Sequence, residues 1–396
     1  MMKVFECAVK SRFNTSFLVK GLILVGLATM PFVYWPAAKI PYEIPRVMFF
    51  LGWAEVLTVL GVLASLGDRR KLAINLRVLF LESVLLGVVV VSSAWGVDFG
   101  KSWWGNYWRF DGILTLIHLI SFSAIVAVFL DGDLKAKIPG AIIWSAFVLS
   151  VWTIGVGVFE MAMHREFIAV GISFGQPKFL GGYLLVSLPF LAFFSASWKS
   201  RSVWLVEITI LSAIVFSGST SSLMLAITYI WFWQLRRGKP WVVFILSVAA
   251  LGLIANLGIR KLADFRFTGD QELFVFESRE RIFKKLSAAF IQKPVLGWGW
   301  ANVDYAFKSV DWPVKVERDA YVDKAHSSLM EVFVTTGFLG GLLFVLIVLA
   351  TARKLRGSLW LAPLVIFLVH SQTNVISISE EILFWLMVGV AMGNPK

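Results

Sequence analysis

The sequence predicts an all-α fold, a polytopic membrane protein of about twelve transmembrane helices with one large outer loop containing an amphipathic helix. Three observations carry that prediction. Hydrophobic residues make up 58% of the 396 residues and charged residues only 16%, with a mean hydropathy of +0.78, whereas soluble domains stay near ~45–50% apolar and ~25% charged. The apolar residues come in continuous runs of about twenty, the length a helix needs to cross a ~30 Å hydrocarbon core, and not in the ~10-residue alternating segments of a transmembrane barrel. Basic clusters recur in short loops at every second connection.

In chain order the runs centre on 16–34, 44–66, 76–95, 111–130, 138–158, 179–196, 202–217, 221–235, 241–258, 327–351, 358–371 and 379–393. Each is expected to be a helix, because backbone groups in hydrocarbon must pair within their own segment. The chain then divides into helices one to nine over 1–258, an outer loop over 259–326 and helices ten to twelve over 327–396, all within one integral domain. No small-residue cleavage site follows the first run, so an uncleaved anchor is expected there. Lys3, Lys10 and Arg12 precede that run, and "DRRK" (68–71), "LKAK" (134–137), "WKSR" (198–201), "RRGK" (236–239) and "RKLR" (353–356) occupy alternate connections. Short loops rich in Lys and Arg stay in the cytoplasm, so a multi-pass protein of the cytoplasmic (inner) membrane with both termini on the cytoplasmic side is expected. The net charge of +12 is thus spread over these loops, which argues for membrane lipids as partners and against nucleic acid. Cys7 is the single cysteine, so neither an intramolecular disulfide nor a thiolate metal site is expected.

The other loops then face outward: "FGKSWWGNYWRFDG" (99–112), "HREF" and "FGQPKFLGG" (164–182), "SGSTSS" (217–222), "SQTNVISISEE" (371–381) and the long loop. Within the long loop, Ile282, Phe283, Leu286 and Phe290 recur at helical spacing among Arg279, Arg281, Lys284 and Lys285. That pattern is an amphipathic helix with a basic side, either lying at a lipid headgroup surface or simply solvated. Pro294, Gly297 and Gly299 end it. Trp103, Trp104 and Trp108 fit an interfacial aromatic belt better than a sugar-stacking platform. Among ionisable groups inside the spans, Glu207 is near a cytoplasmic end and Glu82 follows Arg77, so snorkelling or pairing accounts for both. Glu55 and His118 are left open as candidates.

His326 is one of four histidines and stands at the mouth of the tenth span, between "DK" and an apolar run. Histidine exchanges protons near neutrality, so the position suits either a proton-transfer role or an ordinary helix cap. The order of several motifs resembles the O-antigen ligase and polymerase-like membrane glycosyltransferases. "SSAWGVDFGKSWWGNYWRFDG" (92–112) looks like that family's Ser-x-Trp-Gly…Arg-x-x-Gly outer loop, and "FGQPKFLGGYL" (174–184) is similar to its Gly-Asn-Pro-Asn-x-x-Ala/Gly-Gly-Tyr segment. "SRERIFKKLSAAFIQKPVLGWGWANV" (278–303) resembles Arg-x-x-x-Trp followed by Pro-x-x-Gly-x-Gly, with Arg279 in the arginine place. "DKAHSSLMEVFVTTGFLGG" resembles Ala-His-Asn-x-x-Leu…Thr-Gly-x-x-Gly, with His326 in the histidine place.

The resemblance implies an enzyme that moves a glycan from a polyprenyl-pyrophosphate carrier to a hydroxyl of a lipid, glycan or protein acceptor at the outer membrane face. It implies no cofactor and no metal. His326 would be the catalytic general base. Arg279, with Arg281, Arg109 and Lys178, would bind the pyrophosphate and glycan, since guanidinium and ammonium groups hold phosphate oxygens. The chain departs from the family pattern at Thr220, where an arginine is usual, and at Ser327, where an asparagine is usual. Arg281, Lys178 or Arg165 would then supply the missing charge, or the donor differs. The competing readings are a polysaccharide flippase or transporter, and a non-catalytic member of the same fold.

Overall fold

The computed structural model describes residues 15–66, 76–165, 167–194, 200–236, 279–310 and 322–393. Within these, the regular elements are helices: α1 Thr15–Thr29, α2 Glu43–Leu66, α3 Leu76–Ala94, α4 Phe99–Trp104, α5 Ile113–Phe129, α6 Gly132–His164, α7 Pro177–Ser187, α8 Ser200–Phe216, α9 Thr220–Arg236, α10 Arg279–Gln292, α11 Val303–Lys308, α12 Ser328–Leu355, α13 Leu361–Ser371 and α14 Ile378–Met392. Short 3-10 turns extend α1 over Met30–Phe32 and α7 over Leu188–Phe194.

Six of these segments are long and apolar enough to cross a membrane: Thr15–Phe32, Glu43–Ser65, Leu76–Ala94, Gly132–His164, Pro177–Phe194 and Ser328–Leu355. α5, α8, α9 and α13 are shorter apolar helices, and α14 stands where the last span was expected. The expected ninth span (241–258), Cys7, the N-terminal basic residues and the cluster at 68–71 lie outside the described residues.

Local chemistry sets several boundaries. Asp131 caps α6 by accepting from the Leu134 backbone N–H at 2.9 Å, which satisfies a donor that the first helical turn leaves free. α6 then runs 33 residues, about 50 Å at 1.5 Å per residue, well beyond a bilayer core. Ser377 and Glu380 form a reciprocal capping box on α14. The next donor, the Ile378 N–H, is taken at 2.7 Å by Glu43 from the start of α2. Glu43 also holds Arg46 at 3.3 Å, and Arg46 donates to the Ser173 carbonyl at 2.7 Å. One buried ion pair thereby fixes the ends of α2, α14 and the 172–174 turn.

The core is built from α5 against α14, α3 against α12, α6 against α1 and α8, and α2 against α5. α7 runs through its middle and is buried from Phe179 to Ser187. The "GG" of "FLGGYL" makes that possible: a Cβ on Gly181 would collide with Ser217 and Ser219, and one on Gly182 with Glu380 and His370. Of the ionisable groups expected within spans, Glu82 is buried and accepts from Ser123 at 3.0 Å. Glu55 lies 3.4 Å from His118.

Two expectations are corrected here. The apolar face of α10 is turned largely into the protein, where Ile282, Leu286 and Ala289 pack with Trp298, Val303, Phe307, Val322, Ala325 and Val334 in a second core. Lys285, expected on the basic side, is buried with its ammonium 4.1 Å over the Phe307 ring, a cation–π contact that desolvation strengthens. The tenth span is not one continuous helix either, because Gly337 (φ 68, ψ −167) breaks α12.

Candidate functional site

The break in α12 builds one wall of the site. A kink at membrane depth leaves backbone groups without helical partners, which is tolerated only where protein supplies them. The loop after α10 does so. Trp298 N–H donates to the Val334 carbonyl at 3.0 Å, Gly299 N–H to the Thr335 carbonyl at 2.8 Å, and Phe338 N–H to the Pro294 carbonyl at 2.7 Å. Ser92, at the end of α3, adds a 2.8 Å bond to the Thr335 carbonyl. Gly297 and Gly299 take positive φ here, a backbone shape that favours glycine. Trp300 then reaches across to donate to the Asp111 carbonyl at 2.9 Å. The "PVLGWGW" loop thus joins α3, α5 and α12 at one end of the bundle.

His326 lies immediately before α12 with φ 55, a left-handed backbone that is uncommon outside glycine. Ala325 before it is fully buried. After it, the Ser327 hydroxyl caps α12 by accepting from Met330 N–H at 3.2 Å. The imidazole is held below its ordinary pKa, first by burial and then by Arg279, with Lys178 and Arg109 adding and Asp323 opposing. The ring is therefore neutral at pH 7, the form that accepts a proton.

The sequence-predicted cations divide into two kinds. Arg279 and Lys178 are exposed, and no carboxylate among the described residues pairs with either. Arg109 is committed to Asp323 through a 2.9 Å ion pair and stacks 5.5 Å from the Phe179 ring. Arg279, Lys178 and Arg109, brought from α10, α7 and the loop before α5, act together on His326. Arg281 is half-buried on α10, and two residues along a helix do not share a face with Arg279. Thr220 is exposed at the start of α9, whose neighbours Ser219 and Ser222 bond each other at 2.7 Å. Arg165 is exposed just past α6 with φ 54.

Beneath His326 a cavity of about 100 Å³, partly open to solvent, runs between α3, α5, α12, α13 and α14. Its mouth is polar, with Asp111, Lys324, Ser327 and Glu331, and its depth is apolar, with Leu85, Leu119, Phe344, Phe367 and Trp385. Lys324 is ion-paired with Asp111 and Glu331. Burial alone lowers its pKa, but the two carboxylates outweigh that and hold it well above the usual lysine range. Burial pushes Asp111 up, and Lys324 more than reverses this, so its carboxyl stays below the ordinary range. Sequence reading named Lys324 only as a flanking charge and missed Asp111, Glu331 and Glu381, which line the same space. No local signal could have found that pairing, because Asp111 stands in the loop before α5 and Lys324 in the loop before α12, far apart in the chain.

Behind the cavity wall, His370 and Glu380 face each other with no exposure, their Nε2 and Oε1 atoms 3.2 Å apart. Asn374, which lines the cavity, lies 3.3 Å from the other ring nitrogen of His370 and donates to Ser221 at 2.9 Å. Among the described residues no group of three or more histidine, cysteine or carboxylate side chains is placed to hold a metal ion.

Long apolar helices, a kinked span propped by a glycine-rich loop, and a charged cavity mouth define a multi-pass membrane protein with an internal amphipathic site. A family model described as O-antigen ligase matches residues 205–345, which is the family the motifs resemble. The matched stretch holds Arg279, Arg281 and His326. It supports a ligase-like function in general terms. Comparison with curated proteins gives no match.

Proposed function

We propose that the protein transfers a glycan from a polyprenyl-pyrophosphate carrier to a hydroxyl acceptor at the outer face of the cytoplasmic membrane. One observation carries this reading: a neutral imidazole, His326, stands at the mouth of a cavity under the combined field of Arg279, Lys178 and Arg109. In the proposed reaction His326 removes the acceptor hydroxyl proton as the oxygen attacks the anomeric carbon. The carbon–oxygen bond to the carrier breaks, and its electron pair leaves with the polyprenyl pyrophosphate. Arg279 and Lys178 have no carboxylate to neutralise them among the described residues, so they suit an anion whose charge grows as that bond breaks. Arg109, tied to Asp323, holds the mouth in shape while adding positive potential. The apolar depth of the cavity suits a lipid chain, which would let a membrane-anchored substrate and a water-exposed acceptor meet at one imidazole. Glycan transfer in reconstituted membranes, using a polyprenyl-pyrophosphate glycan and lipid, glycan and protein acceptors, tests the reading. A His326→Ala protein that transfers at the normal rate would sink it, and glycan movement across the bilayer without any bond transfer would favour a flippase instead.

A further inference from the structure

The left-handed backbone at His326 needs an external hold. Ala325 is buried on one side, and on the other side Ser327 is pinned from a distant loop. The Ser327 hydroxyl donates to the Gln372 Oε1 at 2.8 Å. The same carboxamide donates through Nε2 to the Ser328 hydroxyl at 2.9 Å, and Ser328 bonds the Ser371 hydroxyl at 2.9 Å. Ser327 has one hydroxyl proton, so its bond to Gln372 also aims its lone pairs at the Met330 N–H that it caps. Gln372 therefore reads both residues that follow the histidine, one by accepting and one by donating. A carboxamide is the group suited to that pair of contacts: a carboxylate accepts only and an ammonium donates only. Gln372 is not part of the cavity wall, whereas Ser327 and Ser328 are, so it reaches the site through them.

We propose that Gln372 is a positioning residue: it fixes the turn that aims the His326 ring into the cavity mouth and keeps it close to Arg279 and Lys178. The proposal rests on the reading of His326 as general base. A misplacement of about 1 Å at a reacting group can cost on the order of 10²-fold.

Two variants break the same hydrogen bond from opposite ends, Gln372→Met and Ser327→Ala, and each is read in the reconstituted transfer assay across pH. Each is expected to lower kcat by roughly 10- to 100-fold with the donor KM held. The acid limb of kcat is expected to move to higher pH, because a loosened ring escapes the cations that depress its pKa. Losses in the double variant should fall short of multiplying, since both variants remove the Ser327–Gln372 contact. Loss of folded protein would lower activity without moving the limb, so a fall with the limb in place overturns the proposal, as does an unchanged kcat. If Gln372→Met does not give a monodisperse protein, Ser327→Ala alone carries the same two readouts. His326→Ala in the same assay separates the failures. Full activity there defeats the general-base reading, while an inactive His326→Ala beside a normal Gln372→Met defeats only the positioning role.

Discussion

His326 and His370 occupy the same end of the bundle and lead opposite lives. His326 is half-buried at a cavity mouth, among cations, on a strained backbone. His370 has no exposure, sits on regular helix and faces the equally buried Glu380. An imidazole becomes useful for proton transfer when it is neutral and open to a substrate. It becomes structural when it is closed in with a carboxylate and a helix backbone laid over both, as Gly182 allows here. Residue type alone does not separate the two roles.

The sharpest way to break this comparison is to remove each histidine in turn. His326→Ala is expected to lower glycan transfer by about 10²–10⁴-fold while melting like the parent, measured as initial rate and thermal unfolding in the same detergent. Arg279→Ala should follow with a loss of roughly 10²–10³-fold, the scale of one electrostatic donor to a developing charge. Arg279→Lys should recover little of that, because a single ammonium cannot grip two phosphate oxygens at once. Equal rates for the Lys and Arg proteins would show that charge alone matters. The buried pair should respond differently. Glu380→Ala removes the carboxylate that faces His370 and that closes the α14 capping box, and is expected to cost about 1–3 kcal/mol of stability, with the surviving folded fraction keeping the parent's pH profile. A fully stable Glu380→Ala protein with altered pH dependence would instead give the second histidine a part in the chemistry.

Much of this architecture was legible in the sequence. Hydropathy located the six long apolar segments, since a run of about twenty apolar residues admits few alternatives, whereas the short helices α4 and α11 lie outside every such run. His326 and Arg279 stand in short motifs whose order is readable without a fold. What escaped was everything that depends on distant partners. "TTGFLGG" reads as plain apolar helix, and the break at Gly337 appears only because the loop over 294–299 arrives to satisfy its freed carbonyls. Lys285 reads as a solvated charge until Phe307 is folded over it. Lys324, just before α12, finds Asp111 in the distant loop before α5. Gln372 carries no sequence signal, because a glutamine in a polar loop is ordinary until its two partners are known.

The smallest predicted effect is the most specific to the cavity mouth. The His326 pKa is lowered by burial first and by Arg279 second. Removing the positive charge while keeping bulk and hydrogen bonding, as in Arg279→Gln, relieves the second cause and leaves the first. The imidazole pKa should then rise, so that at mildly acidic pH more of the base is protonated and idle. On a plot of kcat against pH, the acid limb of the residual activity should move to higher pH than in the parent, with Lys178→Gln moving it in the same direction. In Glu380→Ala the limb should stay where it is, because that carboxylate faces His370 and not His326. If neither charge removal moves the limb, the titrating group is not the imidazole at the cavity mouth, and the contrast between the two histidines loses its chemical meaning even if both variants are inactive.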